Sequence, residues 1–163
     1  MQATLKGPVV FEGVGLHTGQ KVRAVVRPAS AEYGIWFRRL DILGQDPLVP
    51  ALWSAVERSP LCTRIVNASG VSVSTIEHLM AALAGCGVRN ALIELDGPEV
   101  PILDGSAAPF VRGLLERGLR SQNVPTRAIQ MLAPVEVHEG EAWARLEPAD
   151  GFAMDFGIDF ADA

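Results

Sequence analysis

The chain has 163 residues, a formal net charge of -5, and 48% hydrophobic against 20% charged residues, the balance of a globular protein that buries a core rather than of a disordered one. Its 14 basic residues are scattered among 19 acidic ones, which argues against nucleic-acid binding, because phosphate contacts need clustered Lys and Arg. Cys62 and Cys86 belong to no CxxC pair and are too few for a disulfide framework, so a reducing, cytoplasmic compartment is expected. Residues Met1 to Gly13 lack the charged and apolar regions of a signal peptide, and no stretch reaches the ~18 apolar residues of a membrane helix.

In chain order, the first half reads as short strands joined by Gly and Pro turns. In Lys21 to Arg27, Val22, Ala24 and Val26 alternate with Arg23, Val25 and Arg27, as in a strand with one buried face. Further strands are expected at Ile35 to Arg38, Thr63 to Asn67, Val71 to Val73 and Asn90 to Leu95, each bounded by Gly, Pro, Asn or Asp. Between them, Ser74-Thr75-Ile76-Glu77 has the form of a capping box, with Ser74 as N-cap. Ile76, Leu79, Met80 and Leu83 then follow helical spacing, and Gly85 and Gly87 close the helix. A second helix is expected from Ser106 to Arg117, stopped by Gly118. Such a pattern, without a strict βαβ rhythm, predicts an α+β fold: a two-layer sandwich with helices packed on one face of a mostly antiparallel sheet.

Ser121 to Thr126 is a polar connector. After it come candidate strands at Ala128 to Leu132, Pro134 to His138, Ala142 to Glu147 and Gly151 to Phe160. In the last of these, Phe152, Met154, Phe156, Ile158 and Phe160 give every second residue an apolar side chain, a face that must be covered by something. The expected division is therefore an N-terminal domain over 1–120, a linker over 121–127 and the start of an incomplete second domain over 128–163, its strands covered by missing sequence or by a partner chain.

Several side chains could carry chemistry. At ~100° per residue, Glu77 and His78 both turn away from the apolar stripe of their helix. A carboxylate beside an imidazole on such a face can serve as a general base next to a metal ligand, or Glu77 can merely complete the capping box with His78 on the surface. His17 lies in Gly13-Val14-Gly15-Leu16-His17-Thr18-Gly19, which reads as a tight turn or as a loop whose glycines let a ligand approach closely. His138 precedes a hairpin turn at Glu139-Gly140 and reads as a solvated strand residue. A reactive thiol at Cys62 would need a His or cationic neighbour and the sequence shows none locally, so a buried, inert thiol is expected there, and at Cys86 too. Asp104-Gly105-Ser106 reads first as a turn and N-cap.

These segments together carry a resemblance. GVGLHTG (Gly13 to Gly19), LCT (Leu61 to Thr63), the long block from Ser74 to Val111 and the closing DFGIDF (Asp155 to Phe160) resemble, in order and position, the UDP-3-O-acyl-N-acetylglucosamine deacetylases. That resemblance implies a cytoplasmic hydrolase of Gram-negative lipid A synthesis, dependent on zinc (Zn2+), which removes acetate from an acylated UDP-sugar in a cleft between two similar α+β domains. It implies that His78 is one zinc ligand, that Glu77 is the general base, and that His17, Cys62, Thr63 and Asp104 line or support the substrate cleft. The family draws its other zinc ligands from an HxxxD motif, and its general-acid histidine, from the second domain, and no HxxxD occurs here. The chain is thus expected to be a fragment of the enzyme, a non-catalytic module that binds a nucleotide sugar or a partner, or a subunit whose site a second chain completes.

Overall fold

The computed structural model describes residues 1–158, which divide into two compact units, 1–126 and 127 onward. In the first unit the order is β1 (Ala3–Leu5), β2 (Val9–Val14), β3 (Lys21–Pro28), β4 (Ile35–Arg39), β5 (Leu48–Pro50), a 3-10 turn (Trp53–Ala55), β6 (Val56–Glu57), β7 (Arg64–Val66) and β8 (Ser72–Ser74). Then follow α1 (Glu77–Gly85), β9 (Ala91–Leu95), α2 (Ala108–Arg117) and β10 (Leu119–Ser121).

The main sheet has the order β2-β3-β9-β4-β5, antiparallel throughout except where β4 runs parallel to β9. Strands β6, β7 and β8 form a small antiparallel sheet, and β1 pairs with β10. Period-2 alternation explains which side of the main sheet is covered: Val22, Ala24 and Val26 of β3 and Ala91, Ile93 and Leu95 of β9 are buried. The helices supply the second layer. Leu79, Ala82 and Leu83 of α1 and Phe110 and Leu114 of α2 join the same core. Phe110 meets Phe11 of β2 edge to face, with ring centroids 4.8 Å apart. At Gly113 a side chain would lie 2.8 Å from that Phe11 ring, so α2 reaches the sheet only with glycine there. The architecture is the expected α+β sandwich, and both helices end at the left-handed glycines Gly87 and Gly118.

Buried polar groups join the ends of this unit. Asn90 Nδ2 donates to Gln2 Oε1 (2.9 Å) and Gln122 Oε1 (2.7 Å), while Asn90 Oδ1 accepts the Gly34 N–H (2.9 Å).

In the second unit, β11 (Val135–Glu139) and β12 (Ala142–Leu146) form an antiparallel hairpin around Gly140, and all residues from 132 to 158 are exposed. The strands expected at Ala128 to Leu132 and Gly151 to Phe160 are not formed at 128–132 or 151–158; Phe160 lies outside the described residues. Alternation says which face would be apolar but supplies no neighbouring strand, and a strand exists only when its backbone is paired.

The capping box is also corrected. Ser74 ends β8, Ile76 occupies the N-cap position of α1 in helical geometry, and no side chain caps the helix. The reason is tertiary: the Ser74 N–H donates to the Pro98 carbonyl (2.9 Å) and the Ser74 carbonyl accepts the Val100 N–H (3.1 Å), which fixes Ser74 as strand.

Candidate functional site

The positioning of Glu77 and His78 begins at the residue that leads into their helix. Thr75, fully buried, turns the chain out of β8 with φ 57°. For a β-branched residue this left-handed backbone is an outlier that surrounding contacts must hold. Its hydroxyl donates to Glu99 Oε1 at 2.8 Å. Glu77 and His78 then form the first turn of α1, both half-buried.

Glu77 does not reach back to its own helix. Its Oε2 accepts the Thr63 N–H at 3.1 Å, and the Ile76 N–H donates to the Thr63 carbonyl at 3.5 Å. These two bonds bring the Leu61-Cys62-Thr63 segment against the helix start. Cys62 is half-buried rather than buried, with Sγ 3.5 Å from Ser59 Oγ, because Leu61 takes a left-handed turn (φ 63°) that lifts the segment to the surface. Cys86 is likewise half-buried, and burial pushes its thiol pKa up, away from the thiolate.

Residues Gly15 to Gly19 make the expected tight turn, closed by the Gly19 N–H to the Gly15 carbonyl (2.9 Å). The turn is wrapped on Glu99, whose carboxylate accepts the N–H of His17 (3.0 Å to Oε1, 3.3 Å to Oε2) and of Thr18 (2.9 Å to Oε2). The His17 side chain is left exposed. Asp104 stands on the next connection. The Ile102 N–H bonds the Val14 carbonyl (2.9 Å), and a side chain at Gly13 would come within 3.1 Å of Pro101. Asp104 Oδ1 accepts both the hydroxyl (2.8 Å) and the N–H (2.9 Å) of Ser106, and that hydroxyl above all holds its carboxyl below the usual range. The turn is as expected, but the N-cap of α2 is Ala107 rather than Ser106.

Hydrogen bonds thus connect the segments of His17, Thr63 with Cys62, and Glu77 with His78, and a backbone bond ties in the Asp104 turn. His138 belongs to the second unit, solvated on β11 beside Glu136 (2.5 Å). A shallow groove lined by Pro8, Val9, Phe11, Gly113 and Arg117 contains none of these residues.

Imidazole beside carboxylate is donor chemistry suited to zinc, but a zinc site needs three or four protein ligands. Among the described residues no three His, Cys, Asp or Glu side chains converge to hold a metal ion. Those residues do not make a metal site by themselves.

Sequence reasoning missed Glu99. It is 1% exposed, and its partners are 24, 81 and 82 positions away. The available signal was a lone acid between Pro98 and Val100-Pro101-Ile102, where a buried charge needs a dedicated set of donors.

The family described as LpxC, UDP-3-O-acyl N-acetylglycosamine deacetylase, matches residues 2–163. A relative in Phenylobacterium zucineum named UDP-3-O-acyl-N-acetylglucosamine deacetylase is 53% identical over 159 residues, which are 98% of this chain and 54% of the relative. The protein of the same name in Vibrio parahaemolyticus is 50% identical over 161 residues, 98% of this chain and 52% of the relative. The chain spans about half the length of the curated relatives it matches.

Proposed function

The chain belongs to the UDP-3-O-acyl-N-acetylglucosamine deacetylase family, and from that premise we propose that it forms the N-terminal part of a zinc-dependent hydrolase that removes the N-acetyl group from UDP-3-O-acyl-N-acetylglucosamine in cytoplasmic lipid A synthesis. Residues 1–120 are its first domain, 121–127 the linker, and 128–163 the start of a second, similar domain. The observation that carries the reading is the Glu77 carboxylate, fixed by the Thr63 N–H beside His78 on one helical turn.

In this reading Glu77 is the general base that accepts a proton from the attacking water. Its bond to Thr63 fixes the direction of the carboxylate and leaves the second oxygen for the water. His78 contributes one metal ligand. Zinc supplies Lewis acidity toward the carbonyl and the water, and its remaining ligands, with the general acid, come from outside the described residues. His17, Cys62, Thr63 and Asp104 contact or support the sugar nucleotide and its acyl chain.

Reconstitution tests this. The chain alone, with zinc, is expected to release no acetate from the substrate. Mixed with the C-terminal half of the Phenylobacterium relative, it should turn over. In the mixture Glu77→Gln should cut kcat by about 10²–10⁴-fold with zinc retained, whereas His78→Ala should lose the metal. Full turnover by Glu77→Gln would remove the assignment, and turnover by the chain alone would refute its dependence on a second half.

A further inference from the structure

We infer that Glu99 is a positioning residue for this site: its buried carboxylate locks the strained Thr75 turn and the Gly15–Thr18 turn into one piece, and so fixes how Glu77, His78 and His17 are presented. The inference rests on the functional reading above but makes a claim about residues that reading does not use.

Three observations carry it. The first is the donor set. Glu99 takes the backbone N–H of His17 and Thr18 and the hydroxyl of Thr75, from chain segments far apart in sequence. A carboxylate with 1% exposure could be replaced in a core by an apolar side chain of similar size, so its use here is to bind donors that no other group serves. The second is Gly15. A Cβ there would stand 2.3 Å from Glu99 Oε2 and from Thr18 Oγ1, so the turn closes on the carboxylate too tightly for any side chain. The third is Thr75 itself. Its left-handed backbone is one residue from α1's N-cap and two from Glu77, and the hydroxyl bond to Glu99 opposes relaxation of that turn. If Thr75 relaxed toward ordinary geometry, Glu77 and His78 would rotate with the helix start.

Glu99 therefore couples the residue before the helix to the turn that bears His17. It touches no reacting atom; it acts through the segments that do.

The test compares Glu99→Gln, Thr75→Val and Thr75→Ser with the parent chain by NMR, reading amide hydrogen exchange and the imidazole shifts of His17 and His78. Gln keeps one acceptor but turns an N–H2 group toward an N–H donor. Exchange at His17 and Thr18 should then accelerate more than tenfold while Val26 and Ile93 in the main sheet stay within threefold. Thr75→Val should shift the His78 ring resonances, and Thr75→Ser, which restores the hydroxyl, should return them. Exchange at His17 and Thr18 within twofold of the parent in Glu99→Gln overturns the proposal, as does equal acceleration across the sheet, which would mark Glu99 as general core support. Should Glu99→Gln fail to fold, Thr75→Val carries the comparison, and unfolding of both counts against it. None of these readings involves substrate, so failed reconstitution would sink the functional proposal and leave this one standing. Where the mixture does turn over, Glu99→Gln should lower kcat at least tenfold with KM within threefold.

Discussion

At Glu99 a charge sits where almost no solvent reaches, and its effect on stability has a definite sign. Burial pushes the carboxyl up, but the N–H groups of His17 and Thr18 and the hydroxyls of Thr75 and Thr18 outweigh it and hold the group below its usual value of 4.5. A folded value below the unfolded one adds stability that is present above about pH 4.5 and is lost as pH falls through the folded value. Urea midpoints should therefore decline from about pH 5 downward, and more gently in Glu99→Gln. Asp41, lowered chiefly by its hydrogen bond from Arg39, tilts both proteins alike, so the difference isolates Glu99. Identical slopes would mean that the carboxylate is not held in this way. Gly15→Ala attacks the same contact sterically; overpacking of this kind costs about 1–3 kcal/mol, read as a drop in the unfolding free energy. Glu77, His78 and His17, proposed above as site residues, stand in segments that the sequence alone singles out. Their anchor was not, because a single acid's donors come from two distant stretches of chain, His17-Thr18 and Thr75, and leave no local period.

Elements show the same division between what pattern records and what tertiary contact decides. Strands β3, β4 and β9 and both helices follow from alternation, helical spacing and glycine stops, and their observed bounds lie within one or two residues of expectation. Strands β1, β5, β6 and β10 have only two or three residues, too short for a period to register. The capping signature at Ser74 failed because strand pairing claimed that residue first. A direct consequence is measurable. A true cap would cost about 0.5–2 kcal/mol on substitution, whereas Ser74→Ala should stay within about 0.5 kcal/mol of the parent in chemical denaturation. A loss above 1 kcal/mol would restore Ser74 to a capping role.

Across the whole molecule the two units differ in how much they bury. Among the described residues the buried apolar core lies in the first, and those of the second from 132 onward are all exposed, Phe152, Met154 and Phe156 more than four-fifths so. A two-stranded hairpin without a covered face is marginal in water. Amides of β11 and β12 should exchange with little protection while Val26, Ile93 and Leu95 approach the global limit. Equal protection in both units would show that the hairpin is buried by something, such as a second copy of the chain. The antiparallel pairing of β1 with β10 has a mechanical consequence of its own. Ala3 faces Ser121 and Leu5 faces Leu119, with the Gln2 N–H on the Val124 carbonyl (2.7 Å) just outside them. A pull applied at Met1 and Thr126 loads the outermost bond alone, then the next, as a zip opens. In an optical trap the first unit should yield at a lower force from these attachment points than from handles placed on β2 and β5, where tension must cross the whole five-stranded sheet.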